Sequence, residues 1–155
     1  MKKWLVYMAA LAVALLFSVT PFRGTEIAKL APVEVVWMSQ IGDFVYLETD
    51  MSDAGMGKDV TSALQDMKAK ASGIIFMETA NYLIVRQGDE KLLEQMFSVL
   101  RPSCMVCICE EKPALEDSAA FLSVHEPGVT LRQLRAASKK LPLLKQEQGR
   151  LELIE

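Results

Sequence analysis

Histidine is almost missing from this chain: His125 is the only one among 155 residues. Any histidine-based acid–base chemistry must therefore use that single ring. Cysteine is sparse too, with three residues confined to Cys104-x-x-Cys107-x-Cys109. No G-x-G-x-x-G occurs, and Gly57-Lys58 lacks both the Ser/Thr and the glycine spacing of a phosphate loop. A basic excess is also lacking. Of 17 basic residues, Lys2, Lys3 and Arg23 fall in the N-terminal segment, which leaves 14 against 20 acidic residues and a net charge near −6 for the remainder. Nucleic acid and anionic lipid need a clustered basic surface, so this balance argues against both. The run Arg132 to Lys140 is the one basic cluster, and it reads as the solvated face of a helix. Low-complexity stretches and internal repeats are absent.

What the chain does have is a long apolar run at its start. Lys2 and Lys3 precede nineteen residues, Trp4 to Phe22, in which only Ser18 and Thr20 are polar. As a helix this run reaches roughly 28 Å at about 1.5 Å per residue, close to the roughly 30 Å hydrocarbon core of a bilayer. The two leading lysines, and a first acidic residue only at Glu26, favour an N-terminus inside the cytoplasm and an exported remainder. Two readings of the run stay open. A cleaved signal peptide has a shorter core and a small-residue cleavage site. Here no A-x-A closes the run, and a cut after Thr20 would face Pro21. An uncleaved single-pass anchor is the stronger reading, with Trp4, Leu5, Leu11, Leu15, Leu16 and Phe17 in the membrane. Because all three cysteines lie far downstream, a lipid anchor is not expected.

Residues 1–23 are thus the anchor or signal segment, and 24–32 form a tether, polar from Thr25 to Pro32. The remaining length suits one domain. Residues 33–141 form an α+β extracytoplasmic domain, and 142–155 supply terminal strands. Val33, Val35 and Trp37 alternate with Glu34, and Phe44 to Thr49 is a second strand, joined through a turn at Ile41-Gly42-Asp43. Gly55 and Gly57 open a turn into a helix whose stripe is Val60, Leu64, Met67 and Ala71. Ile74 to Met77 and Tyr82 to Val85 are one bent strand or two. Asp89 is an N-cap for a helix that buries Leu92, Leu93, Met96, Phe97 and Leu100 and is closed by Pro102. Met105 to Cys109 is an apolar strand. Pro113 starts a helix with the inner stripe Leu115, Ala119 and Leu122, stopped by Pro127-Gly128. Thr130 and Gln133 form a capping box for a last helix carrying Leu131, Leu134 and Ala137. Leu143 to Ile154 is a pair of strands around Gln148-Gly149. The expected architecture is a small mixed sheet with helices gathered on one face.

Candidate chemistry is thin. Three thiols lie within six residues, and their spacing on a strand points Cys104 away from Cys107 and Cys109. Zinc wants four converging ligands, usually from separated pairs, and His125 is the only nitrogen ligand on offer. Cys104, Cys107, Cys109 and His125 are therefore weak metal candidates, and the thiols read as small core hydrophobes. His125 sits at a helix C-terminus, where a capping role suffices. Glu110-Glu111 and Glu116-Asp117 read as solvated caps. No catalytic set, cofactor or small-molecule substrate is implied.

The stretch Gly57-Lys58-Asp59-Val60-Thr61-Ser62-Ala63-Leu64-Gln65-Asp66-Met67 resembles the turn and helix of the Ger(x)C family, the C subunits of bacterial spore germinant receptors. Gly57, Ala63 and Leu64 are the family-like positions. The strand and helix that follow in the family resemble Ile74 to Val85 and Glu90 to Leu100, and the next strand resembles Met105 to Cys109. Leu141 to Ile154 looks like the segment that begins the family's second domain. The family's lipid-attachment cysteine has no counterpart here, and Thr79-Ala80-Asn81 stand where the family often has a histidine. The resemblance implies a short, membrane-anchored relative of the family's N-terminal domain. It would be a non-enzymatic accessory protein working beside polytopic membrane receptor subunits in spore germination. Trp37, Phe44, Tyr46 and Tyr82 are then contact candidates, though aromatic residues in strands mostly pack inward. Two other classes stand beside it: a ring-building scaffold of a sporulation or secretion channel, and an exported metal carrier or enzyme.

Overall fold

A computed structural model describes residues 30–137 and 139–154. The expected anchor residues lie outside the described residues, as does most of the expected tether. Among the described residues no helix is long and apolar enough to cross a membrane.

The strands are β1 Leu30–Pro32, β2 Val35–Ile41, β3 Phe44–Thr49, β4 Ala54–Gly57, β5 Ile74–Phe76, β6 Tyr82–Arg86, β7 Met105–Cys109, β8 Leu143–Glu147 and β9 Arg150–Ile154. The helices are α1 Val60–Lys70, α2 Leu93–Met96, α3 Leu115–Val124 and α4 Leu131–Ala136. Seven strands form one mixed sheet in the order β4-β3-β2-β6-β7-β8-β9. The inner four, β2-β6-β7-β8, are parallel, and antiparallel strands flank them on both sides. The domain is α+β, as its alternation of periods implies.

The expectation of helices on one face is corrected. The inner strands carry continuous apolar runs, such as Val35-Val36-Trp37-Met38 and Leu83-Ile84-Val85, and all of these side chains are buried. A strand buried on both sides needs a cover on both sides. Val36, Met38, Leu83, Val85 and Val106 pack with Val60 and Met67 of α1, Leu93 and Met96 of α2 and Leu131 of α4. Val35, Trp37, Tyr82, Ile84, Cys107 and Leu144 pack with Leu115, Ala119 and Leu122 of α3 on the opposite face. Periodicity marks which side chains are buried but not which face buries them.

Several local expectations change with it. Gly55 and Gly57 do not form a turn: they lie in β4, pairing with Leu47 and Val45 of β3. A Cβ at Gly55 would fall 2.2 Å from the Ala63 carbonyl oxygen, and one at Gly57 would fall 2.3 Å from the Ala63 nitrogen. The glycines thus let α1 rest directly on the strand backbone. The buried stripe of α1 is Val60, Ala63 and Met67, with Leu64 half-buried beside it. Asp59 caps α1 by accepting a hydrogen bond from the Ser62 N–H at 2.7 Å.

Asp89 makes no side-chain cap. Its carboxylate instead accepts from the Gln40 N–H at 2.7 Å, which satisfies the end of β2. The helix expected after it is a single 3-10 turn, Glu90–Leu92, running into the one turn of α2. The Thr130–Gln133 capping box forms as expected. The β8–β9 hairpin turns at Gln148 and Gly149, with φ of 49° and 78°, the paired positive values of a type I′ turn. Ile74 to Val85 is two strands, not one. The C-terminal end of the expected tether is also a strand, since β1 pairs in parallel with β5, apart from the main sheet.

Replacing Gly57 by Ala presses a methyl group into helix backbone that cannot yield as a side chain tip can. The expected loss is about 1–3 kcal/mol of stability, read from the midpoint of urea unfolding. An unchanged midpoint would show that α1 does not sit on β4 in this way.

Candidate functional site

The cysteines are the first residues to place. Alternation along β7 puts Cys104 in the core under α1 and α2, and Cys107 and Cys109 in the core under α3. All three are buried and unbridged. Burial pushes the Cys104 thiol up to about 12. Burial likewise drives Cys107 up, assisted by its two neighbouring thiols, and raises Cys109. A thiol held in its neutral form is neither a good nucleophile nor a good metal ligand.

His125 occupies the C-cap of α3, where its N–H donates to the Phe121 carbonyl at 2.9 Å. Its exposed ring lies against Phe121 with centroids 4.6 Å apart. It joins neither apolar cluster that holds the thiols. Among the described residues no three His, Cys, Asp or Glu side chains gather as a metal site. Glu110, Glu111, Glu116 and Asp117 are exposed. Gly57 and Ala63 do meet, at the α1–β4 contact described above, so these family-like positions form a packing joint.

The aromatic contact candidates divide. Trp37 and Tyr82 are core residues, while Phe44 is 45% exposed. Tyr46 is half-buried and donates its hydroxyl proton to Glu48. Burial, then that hydrogen bond, lifts its phenol to about 12. Register places Ile41 opposite Phe44, and Tyr46 opposite Met56. These four share the sheet face that carries α3.

A groove of about 900 Å³ lies on the opposite face, beyond the carboxyl ends of β6 and β7. It exists because α2 and α4 are both short, and neither spans the strands it covers. Leu93 and Phe97 form one wall, Leu134 and Leu141 the other, and Ile108, Leu143 and Ile154 the floor. Glu90 and Glu94 rim the α2 side, and Arg135, Lys139 and Lys140 rim the α4 side. Comparison with family models, curated proteins and solved structures gives no match. The groove must therefore be read from its own chemistry.

An apolar trough with acids along one wall and bases along the other fits an amphipathic peptide segment better than a reacting small molecule. Its floor offers aliphatic side chains and no nucleophile. The sequence reading missed it by treating Arg132 to Lys140 as one helical face. In fact α4 stops at Ala136, and Lys139 and Lys140 come to the groove rim. The early capping box at Thr130, with Pro142 still ahead, is the signal that a rim could have been expected here.

The buried thiols generate a pH test with a definite sign. Their folded-state values lie above the ordinary 9.0. Stability is therefore full below about pH 9 and falls as pH rises towards 12, because only the unfolded chain releases those protons. Each such thiol contributes a slope of about 1.4 kcal/mol per pH unit. Urea unfolding between pH 8 and 10.5 should show the fall, and Cys107→Ala should flatten it by about one thiol's share. An identical slope in that variant would place Cys107 in water. At pH 8, Ellman's reagent should find under a tenth of the thiols in the folded chain and all three after denaturation.

Proposed function

We propose that this chain is a membrane-anchored, non-enzymatic accessory protein that acts through protein–protein contacts at the outer surface of a membrane. The partners proposed are polytopic receptor subunits, as the resemblance to the C subunits of spore germinant receptors implies. The observation that carries the reading is the groove with its opposed rims of charge, which suits a peptide segment of a partner. It lies beside β9, whose outer edge bonds to no other strand among the described residues. An open edge strand offers unpaired N–H and C=O groups, a template on which a partner strand can add. An anchor would hold the domain near such a partner and raise its effective concentration there.

Support for the reading comes also from the chemistry assembled in the domain. The reactive side chains that the sequence offered are dispersed, with the thiols split between two cores and His125 at the surface. A scaffold that self-associates through its sheet edges is the second reading, favoured by the same open β9. Sizing the full chain in lipid nanodiscs separates them: a single copy per disc at every loading ratio disfavours self-assembly.

A tagged chain expressed from its own locus should fractionate with the membrane of the forespore and co-purify with polytopic subunits. Leu134→Glu, which sets an acid in the trough, should lower that co-purification at least tenfold while the thermal midpoint stays within a few degrees. Recovery of the intact chain in a detergent-free cytosolic extract would overturn the reading, as would normal germination after deletion.

A further inference from the structure

On an ordinary surface strand the side chains that face outward are polar. β5 breaks this pattern. Ile75 is buried, yet its neighbours Ile74 and Phe76 point the other way and are 46% and 43% exposed. They sit in the two-stranded ribbon that β5 makes with β1, with Leu30 in register with Ile74 and Pro32 with Phe76. This ribbon is the place where the chain enters the domain. Only seven residues, 23–29, separate β1 from the end of the apolar run at Phe22. At about 3.3–3.6 Å per residue they reach no further than roughly 25 Å. If the run is in a bilayer, the ribbon cannot leave the neighbourhood of its surface.

We infer that the outward face of β5 is a membrane contact: Ile74 and Phe76 dip into the lipid–water interface of the bilayer that holds the anchor. The contact fixes which end of the domain faces the membrane. The amino ends of β2 and β6 lie next to the lipid, because Val33 and Thr79, at the exits of β1 and β5, are tied together by a 2.9 Å hydrogen bond. The turn at Gly42 and Asp43, at the carboxyl end of β2, points away. The contact is apolar in character rather than electrostatic. Among the described residues near this end, Lys68 is exposed, Lys70 is paired with Asp66, the exposed Arg101 donates to the Ala80 carbonyl at 3.2 Å, and the exposed Glu78 follows the ribbon. Two apolar side chains would bind a bilayer weakly from solution. With only seven residues between the apolar run and the ribbon, the encounter becomes intramolecular and the effective concentration rises, so a weak contact is populated.

This inference rests on the anchored reading above, and the test separates the two. The full chain is reconstituted into phosphatidylcholine vesicles with brominated acyl chains. It carries a single environment-sensitive label at Ser72→Cys, at Asp43→Cys or at Leu11→Cys; the native thiols are buried and stay unlabelled. The label beside β5 should be quenched at least twofold more than the label at Asp43, equally at low and high salt. Changing Ile74 and Phe76 together to Ser should abolish that difference. Equal exposure at Ser72 and Asp43, with the Leu11 label quenched, leaves the anchor standing and overturns the inference. Quenching at Ser72 that survives the double change overturns it as well. An unquenched Leu11 label overturns the anchored reading itself, and the inference falls with it.

Discussion

The whole domain depends on the requirement that four parallel strands be dry on both sides. A parallel ladder is joined by crossover connections, and each crossover brings its own cover. Here β2, β6, β7 and β8 are sealed below by α1, α2 and α4 and above by α3. The rest of the design answers this demand. The flanking hairpins carry the sheet outward from the buried centre, so the parallel strands never become edges. The glycines of β4 bring α1 close enough to close one core, and Lys112 pairs with Glu48 across the approach to α3 on the other side.

That arrangement also fixes where the thiols lie. Cys107 and Cys109 of β7 lie in one core and Cys104, just before the strand, in the other, so all three serve as small apolar side chains on opposite sides of the sheet. Their neutral state follows from position and needs no dedicated partner. Where the covering helices fall short, the apolar interior shows through as the groove between α2 and α4. The proposed contact surface is in this sense a gap in the cover, and its rim charges Lys139 and Lys140 come from the segment that fails to continue as helix.

Much of this was legible from residues alone. The strands Phe44–Thr49 and Met105–Cys109, the turn at Gln148-Gly149 and the capping box at Thr130 all rest on local signals that tertiary structure did not override. The opposed sides of Cys104 and Cys107 follow from the two-residue period of a strand. Other features need a second element to define them. Gly55 and Gly57 read as a turn because glycine in isolation signals flexibility, whereas here it signals the nearness of another backbone. Asp89 reads as a cap because its acceptor role is visible in sequence, but its donor, the Gln40 N–H, lies 49 positions away. The groove belongs to no single segment, so no periodicity announces it. The sidedness of the helices was invisible for the same reason.

Strand order has a bearing on how such a domain is made. From β2 the sheet extends one way through β3 and β4, then the other way through β6, β7, β8 and β9, each strand joining one that precedes it in the chain. A polypeptide that emerges in chain order, as it does during synthesis, can lay down this sheet as it appears. Once the β2–β3 hairpin has closed, each further strand of the main sheet finds its neighbour already in place. Only the short ribbon of β1 must wait for a later segment.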